Sequence, residues 1–147
     1  MKFKLTVDKN AEEKVTALVH ERSEFTEKLE TLVSKYNGTD RVTAYTEDDI
    51  KVLIFSDIEC VTVINGKTFA VDKAGDKYNL KLRLYEIEQM LPASFIKINK
   101  SSIANRGYIV KFSAVINGSV NVVFKSGYTD YVSRRCFAQI KKELKTK

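Results

Sequence analysis

Phe95-Ile96-Lys97-Ile98-Asn99-Lys100-Ser101-Ser102-Ile103-Ala104-Asn105-Arg106 alternates apolar and polar side chains, breaks at Asn99-Lys100-Ser101 and resumes at Ile103. A period of two marks a strand half-buried against a core. The polar break reads as a turn between two strands. A related stretch follows about thirty residues later, Tyr131-Val132-Ser133-Arg134-Arg135-Cys136-Phe137. Each sets cations beside small polar side chains at the end of an apolar alternation. Between them lie three further apolar strands, Tyr108–Ile116, Val120–Phe124 and Tyr128–Val132. The two basic stretches are therefore expected at strand ends of one sheet structure, where they can grip a polyanion.

Working outward, the same short-strand grammar runs back to Arg41. Strands are expected over Val42–Tyr45, Ile50–Phe55, Ile58–Ile64, Thr68–Val71 and Lys77–Leu82. Asn65-Gly66 stands between Val61–Ile64 and Thr68–Val71; this dipeptide favours the positive-φ turn of a tight hairpin. Asn117-Gly118 repeats the signal. Leu84–Leu91 reads as a short helix stopped by Pro92, and Ser133 is a good N-cap for a terminal helix with Phe137, Ile140 and Leu144 on its apolar side. Many short strands with turns every eight to twelve residues argue an antiparallel β domain, not alternating βα units.

The first forty residues differ. Phe3, Leu5 and Val7 alternate with Lys2, Lys4 and Thr6, which predicts a strand over Met1–Asp8. Val15, Leu18 and Val19 predict a short helix over Ala11–Glu21. Ser23 caps a second helix, Glu24–Tyr36, with Glu27 near the capping-box position and Asn37-Gly38 as its stop. The expected organisation is an extension over residues 1–40 and a β domain over 41–147. The helix pair is expected to pack on the sheet, with a dimer interface as the alternative.

Charge sharpens the functional reading. The chain of 147 residues carries a net +6. Residues 95–147 hold eleven Lys/Arg against the acids Asp130 and Glu143, whereas residues 1–94 hold fourteen against seventeen acids. A one-sided cationic field is the footprint of a phosphate-rich partner. Phosphate-loop, dinucleotide, nucleophile-elbow and zincin motifs are absent, so no enzyme, cofactor, metal site or small-molecule substrate is expected. His20 reads as a helix-surface residue, Cys60 and Cys136 as reduced thiols, and Asp48-Asp49 as a turn. No apolar run is long enough to span a bilayer and residues 1–8 lack a secretory core, so the expected compartment is the cytoplasm.

Residue chemistry favours DNA. Arg135 carries a planar fork for guanine, Lys100 a flexible ammonium, and Asn99 an amide that fits an adenine edge. Ser101, Ser133, Thr68, Lys67, Lys97 and Lys125 suit phosphate oxygens. The backbone N–H groups at Ser133-Arg134-Arg135 suit a phosphate too. Single-stranded RNA is the competing polyanion, with Tyr108, Phe112, Phe124, Tyr128 and Tyr131 as stacking candidates. A different class of reading is a protein-interaction or sensory module that acts through the N-terminal helices, its basicity incidental.

Together, the run Phe95–Asn105, the apolar hairpin after it, Gly127 and Tyr131-Val132-Ser133-Arg134-Arg135-Cys136-Phe137 resemble the LytTR family of bacterial DNA-binding domains. The likeness covers roughly Arg41 to Leu144. It implies a mainly β (α+β overall) fold of about ten antiparallel strands with a C-terminal helix. It also implies a sequence-specific double-stranded DNA-binding transcriptional regulator that lays loops into the major groove at paired direct repeats, bound by two copies. Base contacts would come from Lys67, Thr68, Asn99, Lys100 and Arg135. Phosphate contacts would come from Asn65, Lys97, Ser101, Lys125, Ser133 and Arg134. No receiver domain is recognisable in the first forty residues, so a stand-alone regulator is implied. Family members of this build are often encoded beside a small membrane protein that restrains them.

Overall fold

The computed structural model describes residues 1–114 and 118–145. Among the described residues, ten strands and three α-helices follow in order. Helix α1 (Glu24–Asn37) leads into β1 (Arg41–Tyr45), β2 (Ile50–Ile54), β3 (Ile58–Ile64), β4 (Lys67–Asp72) and β5 (Lys77–Asn79). Helix α2 (Leu84–Met90) precedes β6 (Phe95–Asn99), β7 (Ser102–Asn105), β8 (Ile109–Ala114), β9 (Val120–Phe124) and β10 (Thr129–Val132), and α3 (Arg134–Lys145) is the last described element. Every pairing is antiparallel. Two sheets result, one of seven strands in the order β2-β1-β5-β4-β3-β7-β6 and one of three in the order β10-β9-β8.

The central strands carry apolar side chains on both faces because both faces are covered. On β3 and β4, Val61 and Ala70 face a cluster closed by Phe55, Leu80 and Ile87 of α2. Their neighbours Cys60 and Val71 face a second cluster with Ile98, Val122, Phe124, Val132 and Ile140 of α3. Alternation on one strand thus feeds two cores, since successive side chains point to opposite faces. Ile87 alone of α2 is fully buried, so Ile87→Ala would cost about 2–5 kcal/mol.

The turns follow their residues. Asn65 (φ 51°) and Gly66 (φ 78°) both take positive φ, and Ile64 pairs with Lys67 across a two-residue hairpin loop. Ser133 Oγ accepts from the Cys136 N–H at 3.1 Å, which caps α3. At α1 the capping residue three positions on is Thr26, whose Oγ1 accepts from the Ser23 N–H at 2.9 Å; Glu27 is not used. Asn117 and the end of the strand expected to run to Ile116 lie outside the described residues, as does the side chain of Leu144.

The extension departs from expectation. Residues 1–8 form no strand and residues 11–21 no helix. The alternation at Phe3, Leu5 and Val7 finds no partner strand among the described residues, and a lone strand leaves its backbone unpaired. Val15, Ala17 and Val19 instead run beside α1, near Leu29 and Val33. Helix α1 is present, but none of its residues is buried. The expected packing of a helix pair on the sheet is therefore not what forms; one helix stands there, with Phe25, Leu32 and Tyr36 exposed.

Candidate nucleic-acid interface

Three loops distant in sequence meet at one end of the seven-stranded sheet. The β3–β4 hairpin carries Asn65 to Thr68, and the β6–β7 turn carries Lys100 and Ser101. The β10–α3 junction carries Ser133 to Arg135. The first two are neighbours because β3 pairs with β7, with Thr62 opposite Ser102. The Val63 N–H also donates to the Ser101 carbonyl at 2.9 Å. The third joins because the Ser133 N–H donates to the Ile98 carbonyl at 2.9 Å.

A buried polar chain fixes this junction. Asn99 is 1% exposed. Its amide nitrogen donates to the Tyr131 carbonyl at 2.8 Å, and its amide oxygen accepts from the Ser101 N–H at 2.8 Å. Ser102 Oγ donates to the Asp130 carboxylate at 2.6 Å, and Thr62 Oγ1 lies 2.7 Å from Ser102 Oγ. An ionised carboxylate only accepts, so the Ser102 proton goes to Asp130 and Thr62 must donate to Ser102. Asp130 also takes the Tyr131 N–H at 2.8 Å. A fully satisfied buried network of this kind rigidifies what it joins. Here it joins β3, the β6–β7 turn and β10.

At the far end of β3 a second device docks the small sheet. Glu59 is buried, and its carboxylate accepts from the Ser126 N–H at 2.9 Å and from the Ser126 hydroxyl at 2.5 Å. Burial pushes the Cys60 thiol well above its ordinary value and, with the nearby Cys60 and Asp130, holds the Tyr128 hydroxyl up as well. Both stay protonated at neutral pH. Neither cysteine is bonded to the other: Cys60 is buried and Cys136 half-buried.

The sequence-derived candidates sort by this geometry. Lys67, Lys100, Arg134 and Arg135 are exposed at the junction, and among the described residues none of them is in an ion pair. Asn65 is exposed beside them and Ser101 and Ser133 are half-buried. Thr68 is buried, and so is Asn99, whose amide is spent inside the fold. Lys97 sits on β6 with its ammonium 3.7 Å from Glu88. Lys125 does not join the others. It lies in the β9–β10 turn next to Ser126, at the Glu59 end of the sheets, with its ammonium over the Tyr108 ring. Sequence reading missed Thr62, Ser102, Asp130 and Glu59. The one available signal was an acid, Glu59, inside an apolar strand run.

An antiparallel β scaffold with unpaired cations on three converging loops defines a polyanion-binding domain without a helical reader. In this chain strands separate all three α-helices, so no two of them form a helix-turn-helix. The model of the LytTr DNA-binding domain matches residues 48–145, and the chain belongs to that family. Its relatives include uncharacterized HTH-type transcriptional regulators of Staphylococcus aureus, strains NCTC 8325 and COL. Each is 32% identical over 145 residues, 97% of this chain and 98% of the relative. That match runs through the extension as well as the β domain. A solved LytTr DNA-binding domain from Bacillus cereus superposes with a TM-score of 0.64 at 24% identity, covering 71% of this chain and 96% of the other. The fold expected from the resemblance is the fold observed.

Proposed function

We propose that this protein is a sequence-specific double-stranded DNA-binding transcriptional regulator. Lys67, Lys100 and Arg135 enter the major groove and read base edges, while Arg134, Ser101, Ser133 and Asn65 hold phosphates. The observation that carries the reading is the convergence of unpaired cations from three distant loops on one end of the sheets. Membership of the LytTr family and the names of the Staphylococcus aureus relatives support it. Arg135 offers two parallel donors to guanine O6 and N7, and Lys100 a single mobile ammonium. Asn99 and Thr68 act one step back: the Asn99 amide holds the turn that presents Lys100, and Thr68 is buried at the base of the hairpin that presents Lys67. The site is a pair of direct repeats bound by two copies, in the cytoplasm, and a small membrane protein is a fitting restraint on the protein.

The test is in vitro selection of binding sites followed by gel-shift titration at several salt concentrations. Lys100→Ala and Arg135→Ala should each weaken the selected site by about 1–3 kcal/mol and relax preference at one base position. Arg134→Ala should weaken all sequences alike and lower the salt slope by about 0.9. Equal affinity for all sequences, or an unchanged Arg135→Ala protein, would sink the proposal.

A further inference from the structure

The chain contains two halves of an unmade sheet contact. The first is residues 2–7, where Phe3, Leu5 and Val7 are 90%, 75% and 84% exposed and the backbone pairs with no strand. The second is β2, which ends the seven-stranded sheet and, among the described residues, bonds only to β1. Its Ile50, Val52 and Ile54 share one face and are 72%, 56% and 41% exposed. An edge strand with an apolar face is a template for another strand. Edges are ordinarily blunted by charge, proline or a bulge. β2 carries only Lys51, which points to the other face, against Tyr78.

We propose that residues 2–7 of one copy of this chain add a strand to the β2 edge of a second copy, and that the exchange is reciprocal. The inference stands apart from the DNA reading. Main-chain hydrogen bonds along the edge would supply affinity, and alternate side chains would supply the fit. Phe3, Leu5 and Val7 of one copy then cover Ile50, Val52 and Ile54 of the other.

Charge selects this edge among those the fold offers. Residues 2–7 carry Lys2 and Lys4 and no acid, while Glu47-Asp48-Asp49 lead directly into β2. The edge of β8 lacks such an acidic lead-in: Lys111 lies on it, and Glu143, which lines the groove beside it, is already paired with Arg106. The edge of β6 is already closed by β10, through the Ser133 N–H to Ile98 and the Asn99 amide to Tyr131. A second copy is the occupant because both halves sit on every chain. Reciprocal exchange uses each once and closes, which is a low-cost route to a dimer.

The experiment is mass measurement by sedimentation or light scattering on the full chain without DNA. The parent should run as a dimer. Leu5→Asp and Val52→Lys, both at exposed positions, should each halve the mass while far-UV circular dichroism and the melting temperature of the β domain hold. An equimolar mixture of these two variants should regain dimer mass, because one intact strand meets one intact edge. A monomeric parent overturns the proposal, and so does docking of residues 2–7 on the chain's own β2, which also leaves a monomer. A dimeric Leu5→Asp protein, or a mixture that stays monomeric while both variants are folded, overturns it equally.

Discussion

Asn99→Ala separates a residue that reads a base from one that holds the reader in place. In the structure its amide makes two hydrogen bonds of 2.8 Å, to the Ser101 N–H and to the Tyr131 carbonyl, and it is almost wholly buried. Each such bond contributes about 0.5–1.5 kcal/mol net, and a buried group left unpaired adds its desolvation cost. The expected loss is about 2–3 kcal/mol of stability. For a domain of this size that lowers the melting temperature by roughly 5–10 °C. Urea denaturation should show a lower midpoint with an unchanged slope. DNA affinity should fall by a similar factor on every variant of the binding site, because Lys100 loses its fixed turn. Asn99→Asp should be worse than alanine: it turns the donor facing Tyr131 into an acceptor and sets a second carboxylate near Asp130. Suppose instead that Asn99→Ala leaves stability within about 0.5 kcal/mol of the parent and relaxes a single base position. Asn99 would then be a base contact, and the argument from burial would fail.

Other expectations follow from the same geometry. Glu59→Ala strips the Ser126 N–H and hydroxyl of their acceptor inside the fold and should cost about 3 kcal/mol in denaturant titration, with DNA base preference retained. Ser133→Ala removes the cap of α3 and should cost about 1 kcal/mol, again read from the denaturation midpoint. Under native conditions a thiol reagent should label Cys136 well before Cys60, which is buried and held protonated; equal rates would contradict the packing. The folded state holds the Cys60 and Tyr128 protons more tightly than the unfolded chain does. Their contribution to stability is thus complete below the ordinary values of 9.0 and 10.0 and lost as pH rises through the higher folded values. Stability should hold flat from neutral pH to about 9 and then decline, and Tyr128→Phe should flatten the upper part of that decline.

Much of the fold is legible because its signals are local. Asn65-Gly66 specifies its own hairpin, Ser133 its own cap, and the alternation in Phe95–Ile98 its own strand. The ten strands expected after Arg41 all form, within a few residues. The errors have a different physical source. Residues 2–7 have a strand's alternation, but alternation states only that one face wants burial and says nothing about what buries it. The Ala11–Glu21 stripe rests on Val15, Leu18 and Val19, and a helix of that length is marginal without a packed apolar face. At the interface, Lys100 and Arg135 announce themselves by type. Asn99 does not, because a polar residue in a turn looks the same whether it faces solvent or an Asp130 thirty-one positions away. Lys125 shares their chemistry but lies at the Glu59 end of the sheets, a placement that only strand direction decides.

The buried chain that fixes the recognition loops also sets when they come into being. Thr62 meets Ser102 across 40 positions, Ser102 meets Asp130 across 28, and Glu59 meets Ser126 across 67. Contacts so far apart in sequence close late and slow folding. The local hairpins form early, yet they display Lys67 and Lys100 without a shared geometry until the small sheet docks. A nascent or half-folded chain therefore carries the full positive charge but not the register to read a sequence. On the proposed reading, competence to discriminate one stretch of DNA from another would arrive late in folding, together with the second core.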